Sequence, residues 1–336
     1  MSLLRTIDQF QAYVKVNYNT ALANFEPDIR LAERQRVRPV LGPALYNELS
    51  ALSDADLQAA LDDKASLTGQ LLHLVLEAAA NLGALEYLPL SQVNISDSGI
   101  AINVPKTAFQ WQINELRVYF RRKGYDALEA VLVFLDAHAG DFPAWATSAA
   151  ATEARRQLLA TATEFTRHYD IGGSHLTYLA LLPALRKVER FALGGVLGPA
   201  YLAELRAQLS AGAVTADNQL VLDEYVRPAL AHLTVVKAVP EIGLGLNGSN
   251  LELNVYRFDD SNAKEADASL EKLLAQKVAQ AQADGQAFLL ALRKFLNATA
   301  SATRFASYFS STAYTSPTAP RPVVVSAVDS PTLYFG

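Results

Sequence analysis

The chain contains no cysteine, one methionine and two tryptophans in 336 residues. Without cysteine there is no disulfide scaffold, no thiolate metal site and no cysteine nucleophile. Charge is scarce: 29 basic and 34 acidic residues leave a net charge of −5, and only 19% of the chain is charged. That balance argues against a protein whose main task is gripping phosphate backbones, so no strong nucleic-acid signal is present. Long apolar runs are also missing. The most apolar stretch, residues 176–185, is interrupted by Pro183, and a bilayer span needs about 20 apolar residues. The opening MSLLRTIDQF lacks a basic start followed by an apolar stretch of roughly 7–15 residues, as a secretory leader would have. The expectation is a cytoplasmic or virion location with no membrane partner. Apolar residues, by contrast, make up 51% of the chain. A sizeable core is therefore available, wholesale disorder is excluded, and the length suits about two domains.

What stands out is internal repetition. Residues 25–49 read FEPDIRLAERQRVRPVLGPALYNEL, and residues 181–205 read LLPALRKVERFALGGVLGPAYLAEL. Without a gap, 11 of 25 positions are identical at an offset of 156, including Arg30/Arg186, Glu33/Glu189, Arg34/Arg190 and the run from Val40 to Ala44 against Val196 to Ala200. The match continues with small length changes through Pro89/Pro240, Asn103/Asn254, Gly124/Gly285 and Phe134/Phe295. Upstream, Thr6 and Phe10 match Thr161 and Phe165. Kept order with indels at expected loops predicts a tandem duplication of one domain. The boundaries read as a first domain at 1–148, a linker at 149–155, a second domain at 156–312 and an extended Pro-rich tail at 313–336.

Each copy reads as mainly α, with one small β-hairpin. A helix opens at residues 7–16, and another begins at Pro27 and Asp28, residue types suited to a first turn. Gly42-Pro43 and Gly198-Pro199 predict a tight corner: glycine as a left-handed helix end, proline as the first turn of the next helix. Residues 67–88 and 221–239 are apolar nearly all round, so they should be the central helices. Alternation about Ser96-Asp97-Ser98-Gly99 and about Asn247-Gly248-Ser249-Asn250 predicts the hairpins. Two helices should follow in each copy, at 109–123 and 125–138, then at 270–283 and 286–298.

Catalytic signatures do not emerge. The histidines at 73, 138, 168, 175 and 232 are scattered, with no pair at i, i+4. The run from Gly243 to Gly248 fits a dinucleotide-loop spacing only superficially, because no helix follows it. The paired acids Asp62-Asp63 and Asp259-Asp260 read as solvated ends. No catalytic residue, cofactor or metal site is therefore expected. Arg30, Glu33 and Arg34, repeated as Arg186, Glu189 and Arg190, are either helix-surface ion networks or an interface set, since arginine is enriched at interfaces. The tail carries Val323, Val324 and Val325 as a strand-like run and ends near Tyr334 and Phe335. It is either a strap on its own domain or an arm adding a strand to a neighbouring subunit.

Thr6, Phe10, Ala32, Glu33, Pro39, Leu41, Gly42, Leu45, Tyr46 and Leu49 form a motif that resembles an uncharacterised protein family of Bacteroidetes genomes and their phages or prophages. A helix ending in Leu-Gly before a central apolar helix also resembles the small helical head–tail connector (adaptor) proteins of tailed phages. That resemblance implies a non-enzymatic structural or assembly protein with protein partners, through self-association or other virion components. It implies no catalytic residues. A cytoplasmic protein–protein binding module and an unrecognised enzyme remain the alternatives.

Overall fold

The computed structural model describes residues 2–15, 21–96, 99–102, 110–247, 250–253 and 263–317. The tail residues Val323, Val324, Val325, Tyr334 and Phe335, and the pair Asp259-Asp260, lie outside them. The described chain is mainly helical and divides into two compact units, Met1–Leu182 and Pro183–Gly336.

In the first unit the helix Leu67–Tyr87 is the hub, opened by Ser66, whose hydroxyl accepts from Gly69 N. Leu71, Leu72, Val75, Leu76, Ala78, Ala79 and Ala80 along it are all buried, as expected for a helix apolar on every side. Two helices cross it closely, Glu26–Ala32 and Gln110–Ala137. Glycine sets both crossings. A Cβ on Gly83 would lie 2.6 Å from Ile29 Cγ1, and one on Gly124 would lie 2.6 Å from Leu82. The residues at 109–138, expected as two helices, thus form one helix from 110, because Gly124 provides close approach and not a break. The first helix is shorter than expected, Ile7–Gln11, with a capping box between Thr6 and Gln9.

The second unit repeats the order. A π-helical turn at Glu189–Leu193 matches one at Glu33–Val37. The hub is Arg227–Gly243, preceded by a π turn at Leu222–Val226. It is crossed by Ala263–Thr299, where a Cβ on Gly285 would lie 2.6 Å from Leu233 Cγ. This too is one helix where two were expected. Short strands pair antiparallel in each unit, Val93–Ser96 with Gly99–Ile102 and Leu244–Asn247 with Asn250–Leu253.

The expected domain boundaries are corrected. Residues 149–155 are not a linker but the helix Ala149–Arg155, capped by the Ser148 hydroxyl. Residues 156–182 do not open the second unit; they belong to the first. The reason is packing: Leu158, Leu159 and Phe165 are fully buried, Leu176 and Leu179 pack against the first unit's core, and the Tyr178 hydroxyl donates to Leu159 O at 2.8 Å.

Both corners have the same backbone, φ 76° and ψ 155° at Gly42, φ 76° and ψ 159° at Gly198. Both glycines end a helix with positive φ, as expected, and their φ/ψ pair is the mirror of extended chain, a region essentially reserved for glycine. Pro43 and Pro199 then start the helices Pro43–Ala51 and Pro199–Ser210. The corners are also crowded: a Cβ on Gly42 would sit 2.9 Å from Ser148 Cβ, and one on Gly198 would sit 3.3 Å from Ser311 Oγ. The Trp145 indole N–H closes the first corner by donating to Val40 O at 3.2 Å. Gly42→Val and Gly198→Val should each lower stability by about 1–3 kcal/mol. Denaturant midpoints check this, and midpoints unchanged in both variants would contradict it.

Candidate functional site

The recurring Arg/Glu/Arg set does not form one surface. Its glutamates turn inward and its arginines outward. Each π turn begins at the glutamate and closes with a wide backbone bond, Arg38 N–H to Glu33 O and Gly194 N–H to Glu189 O. Glu33 is 1% exposed and Glu189 is 0% exposed. An ionised carboxylate this deep persists only with partners. Glu33 has four: the Ser2 hydroxyl donates at 2.8 Å, Leu3 N–H at 3.0 Å, Leu4 N–H at 3.1 Å and the Tyr46 hydroxyl at 2.9 Å. Burial pushes its pKa above the ordinary carboxylate value, and these hydrogen bonds pull the other way. Glu189 takes a 2.8 Å bond from the Arg206 guanidinium. The reading of Glu33 and Glu189 as interface residues is thereby corrected: they hold the interior of the fold.

Arg30, Arg34, Arg186 and Arg190 stay exposed. Arg30 pairs with Glu26 one turn away, and Arg190 lies 5.6 Å over the exposed Phe191 ring. Glu33 forms the floor of an open cleft of about 570 Å³, walled by Arg5, Glu26, Arg30, Tyr46 and Asp54. Arg5 is itself tied to Asp54 at 2.7 Å and to Ser50 O at 3.0 Å. The cleft's charges are thus engaged by the chain's own groups. Its evident work is to pin residues 2–5 onto the helices below.

A second carboxylate does similar work in the same unit. Glu129, on Gln110–Ala137, receives the Ser174 hydroxyl at 2.9 Å, His175 N–H at 2.6 Å, Leu176 N–H at 3.0 Å and the His175 ring at 2.9 Å. It sits at the start of the helix His175–Val188, where free backbone N–H groups and the helix dipole favour an anion. Burial would raise its pKa, but the hydrogen bonds outweigh that and hold it below the ordinary range.

The long helices also carry large apolar side chains in solvent. On Gln110–Ala137, Trp111 (64% exposed), Val118 and Tyr119 are exposed, spaced i, i+7 and i+8 on one helix face. Ile113 is the one buried side chain between 111 and 120. Ala263–Thr299 likewise exposes Leu273 and Leu274, with no buried side chain at 272–280. None of these residues was singled out from the sequence. Their helical spacing was visible there, but apolar spacing looks the same whether a core or a partner covers it. Among the described residues, no group of three or more histidine, aspartate or glutamate side chains is arranged to hold a metal ion, and no helix is long and apolar enough to cross a membrane.

The two carboxylates should respond oppositely to pH. Glu129 has a lowered folded pKa, so its stabilisation is present above the unfolded pKa and lost as pH falls through the folded value. Glu33 has a raised folded pKa, so its contribution is full below the unfolded pKa and lost as pH rises through the folded value. Glu129→Gln should therefore cost about 1–2 kcal/mol near neutral pH, as charged hydrogen bonds do. The gap to the parent chain should close as pH falls below the carboxylate range. Chemical denaturation at several pH values checks this, and a gap independent of pH would contradict it.

No curated protein and no solved structure matches the chain. A family model does, and it matches twice, at residues 37–155 and at residues 193–318. The two matches start near the π turns and run past the short helices Pro143–Ala146 and Ala306–Phe309. With most of its length covered in this way, the chain belongs to DUF6712, a family of unknown function.

Proposed function

We propose that this protein is a non-enzymatic assembly component that works through protein–protein contacts, of the connector or neck kind that its sequence resembles in phages and prophages. The observation that carries this reading is the division of labour among its side chains. Two carboxylates of the first unit, Glu33 buried and Glu129 half-buried, are spent on the chain's own segments, Glu33 on residues 2–4 and Glu129 on residues 174–176. In the second unit, buried Asn218 is likewise spent on Tyr201, Glu204 and Gln208. Large apolar groups meanwhile stand in solvent along the two longest helices. Catalysis asks for the reverse, titratable groups poised toward a substrate. Exposed aromatic and leucine side chains are the usual anchors of interfaces.

The occupant of these faces is a second copy or another component of the same particle. Sedimentation at high micromolar concentration should give a mass above that of one chain, or the protein should co-purify with head or tail fractions. Trp111→Ser and Leu273→Ser should each weaken that association at least about tenfold, since a central anchor is worth about 2 kcal/mol or more. A strict monomer that binds no particle fraction would contradict the proposal, as would association indifferent to both substitutions.

A further inference from the structure

The two units differ at two matched places, and the differences are complementary. The first is a cavity of about 90 Å³ in the first unit, floored by Val40, Leu132, Trp145, Tyr178 and Leu179. The exposed Asp136 lines it too, and its carboxylate makes no hydrogen bond or ion pair among the described residues. Other polar groups of the lining are engaged: the Arg155 guanidinium stands 5.9 Å over the Trp145 ring, and the His175 ring bonds Glu129 at 2.9 Å. In the second unit that carboxylate is missing. The register set by Gly124 and Gly285, an offset of 161, puts Asn297 at the place of Asp136. Asn297 Oδ1 accepts from the Tyr308 hydroxyl at 2.8 Å and from Thr315 N–H at 3.1 Å, so the position is spent on the unit's own chain.

The second difference is a knob in the second unit. Phe191 is 73% exposed, the most exposed large apolar side chain among the described residues. Arg190 stands 5.6 Å over its ring and brings a positive charge beside it. The π turn that carries both is anchored from within by Glu189, which is fully buried and accepts from Arg206 at 2.8 Å. The knob is therefore held in place before any partner arrives, which lowers the cost of binding. Its counterpart in the first unit, at an offset of 156, is the polar and exposed Gln35.

Volume decides what the cavity takes. Pockets for drug-sized ligands and cofactors measure about 300–1,000 Å³, and a closed apolar cavity of about 150 Å³ takes benzene. A cavity of about 90 Å³ that opens to solvent suits one side chain and not a larger ligand. We propose that it seats Phe191 of a second copy, with Arg190 of that copy against Asp136. The inference rests on the reading of the chain as an assembly component and names one of its contacts. An apolar ring fills an apolar hole, and the cavity's uncommitted carboxylate meets the charge that travels with the ring. After duplication one unit has kept the hole and the other has gained the knob. The contact joins the second unit of one copy to the first unit of the next, so it propagates from copy to copy.

Charge reversal and complementation test this, read by sedimentation equilibrium of the full chain, with circular dichroism melting to check that each variant is folded. Asp136→Lys and Arg190→Glu should each weaken self-association at least about tenfold, as loss of a central contact does. The chain carrying both should recover to within about threefold of the parent, because the charges again oppose. Phe191→Ser removes the knob and keeps the cavity, whereas Ala154→Leu fills the cavity, which Ala154 lines, and keeps the knob. Each should associate weakly alone, and an equimolar mixture should form a complex of one with the other. Weakening without recovery, in the doubly reversed chain or in the mixture, would overturn the proposal, as would a strict monomer at high micromolar concentration. Association weakened by Trp111→Ser or Leu273→Ser but indifferent to all four of these substitutions would overturn this contact and leave the assembly reading standing.

Discussion

Close crossing at glycine is the constraint on which the rest of this structure depends. Each hub helix is buried on nearly all sides, and the helices that cross it can do so only where a Cβ is missing, at Gly83, Gly124 and Gly285. Close packing of this kind makes small volume changes costly. It fixes the register of the long helices Gln110–Ala137 and Ala263–Thr299. That register decides which of their residues face the core, which face solvent, and where Glu129 and Leu290 stand.

Polar groups then secure what packing alone leaves loose. The segment at residues 2–4 sinks Leu3 and Leu4 into the core, which takes its backbone N–H groups out of water, and Glu33 accepts from them and from the Ser2 hydroxyl. The helix starting at His175 has unsatisfied N–H groups, and Glu129 takes those. In the second unit the Tyr201 hydroxyl donates to Asn218 Oδ1 at 2.9 Å, and the Asn218 amide donates to Glu204 and Gln208. A buried polar group left unpaired costs far more than a pair gains. These networks therefore work as latches on position, and they leave the long helix faces free to meet other surfaces.

Local signals were legible in the sequence, and signals between distant residues were not. The corner glycines Gly42 and Gly198 announce themselves because Gly-Pro after an apolar stripe has few other readings. The hub helices are legible because apolar residues dominate them over many turns. Gly124 and Gly285 mislead, since a glycine that ends a helix and one that lets another helix approach look alike in a single sequence. Glu33 and Glu189 mislead for a related reason: a charge flanked by arginines at i−3 and i+1 looks like a surface network. Only the positions of residues 2–4 and of Arg206 reveal the inward turn. The boundary near residue 182 rests on Glu129 and His175, 46 positions apart, with no motif to join them.

The account's central claim is that the exposed helix faces, and not the polar cleft, are the working surfaces. Hydroxyl-radical footprinting read by mass spectrometry tests it most directly, with the full chain followed from dilute to concentrated solution and with added particle fractions. The account predicts that Trp111, Tyr119, Leu273 and Leu274 lose reactivity as association proceeds, while Tyr46 beside Glu33 stays constant. Protection centred on Tyr46 and the cleft, with the helix faces unchanged, would contradict it.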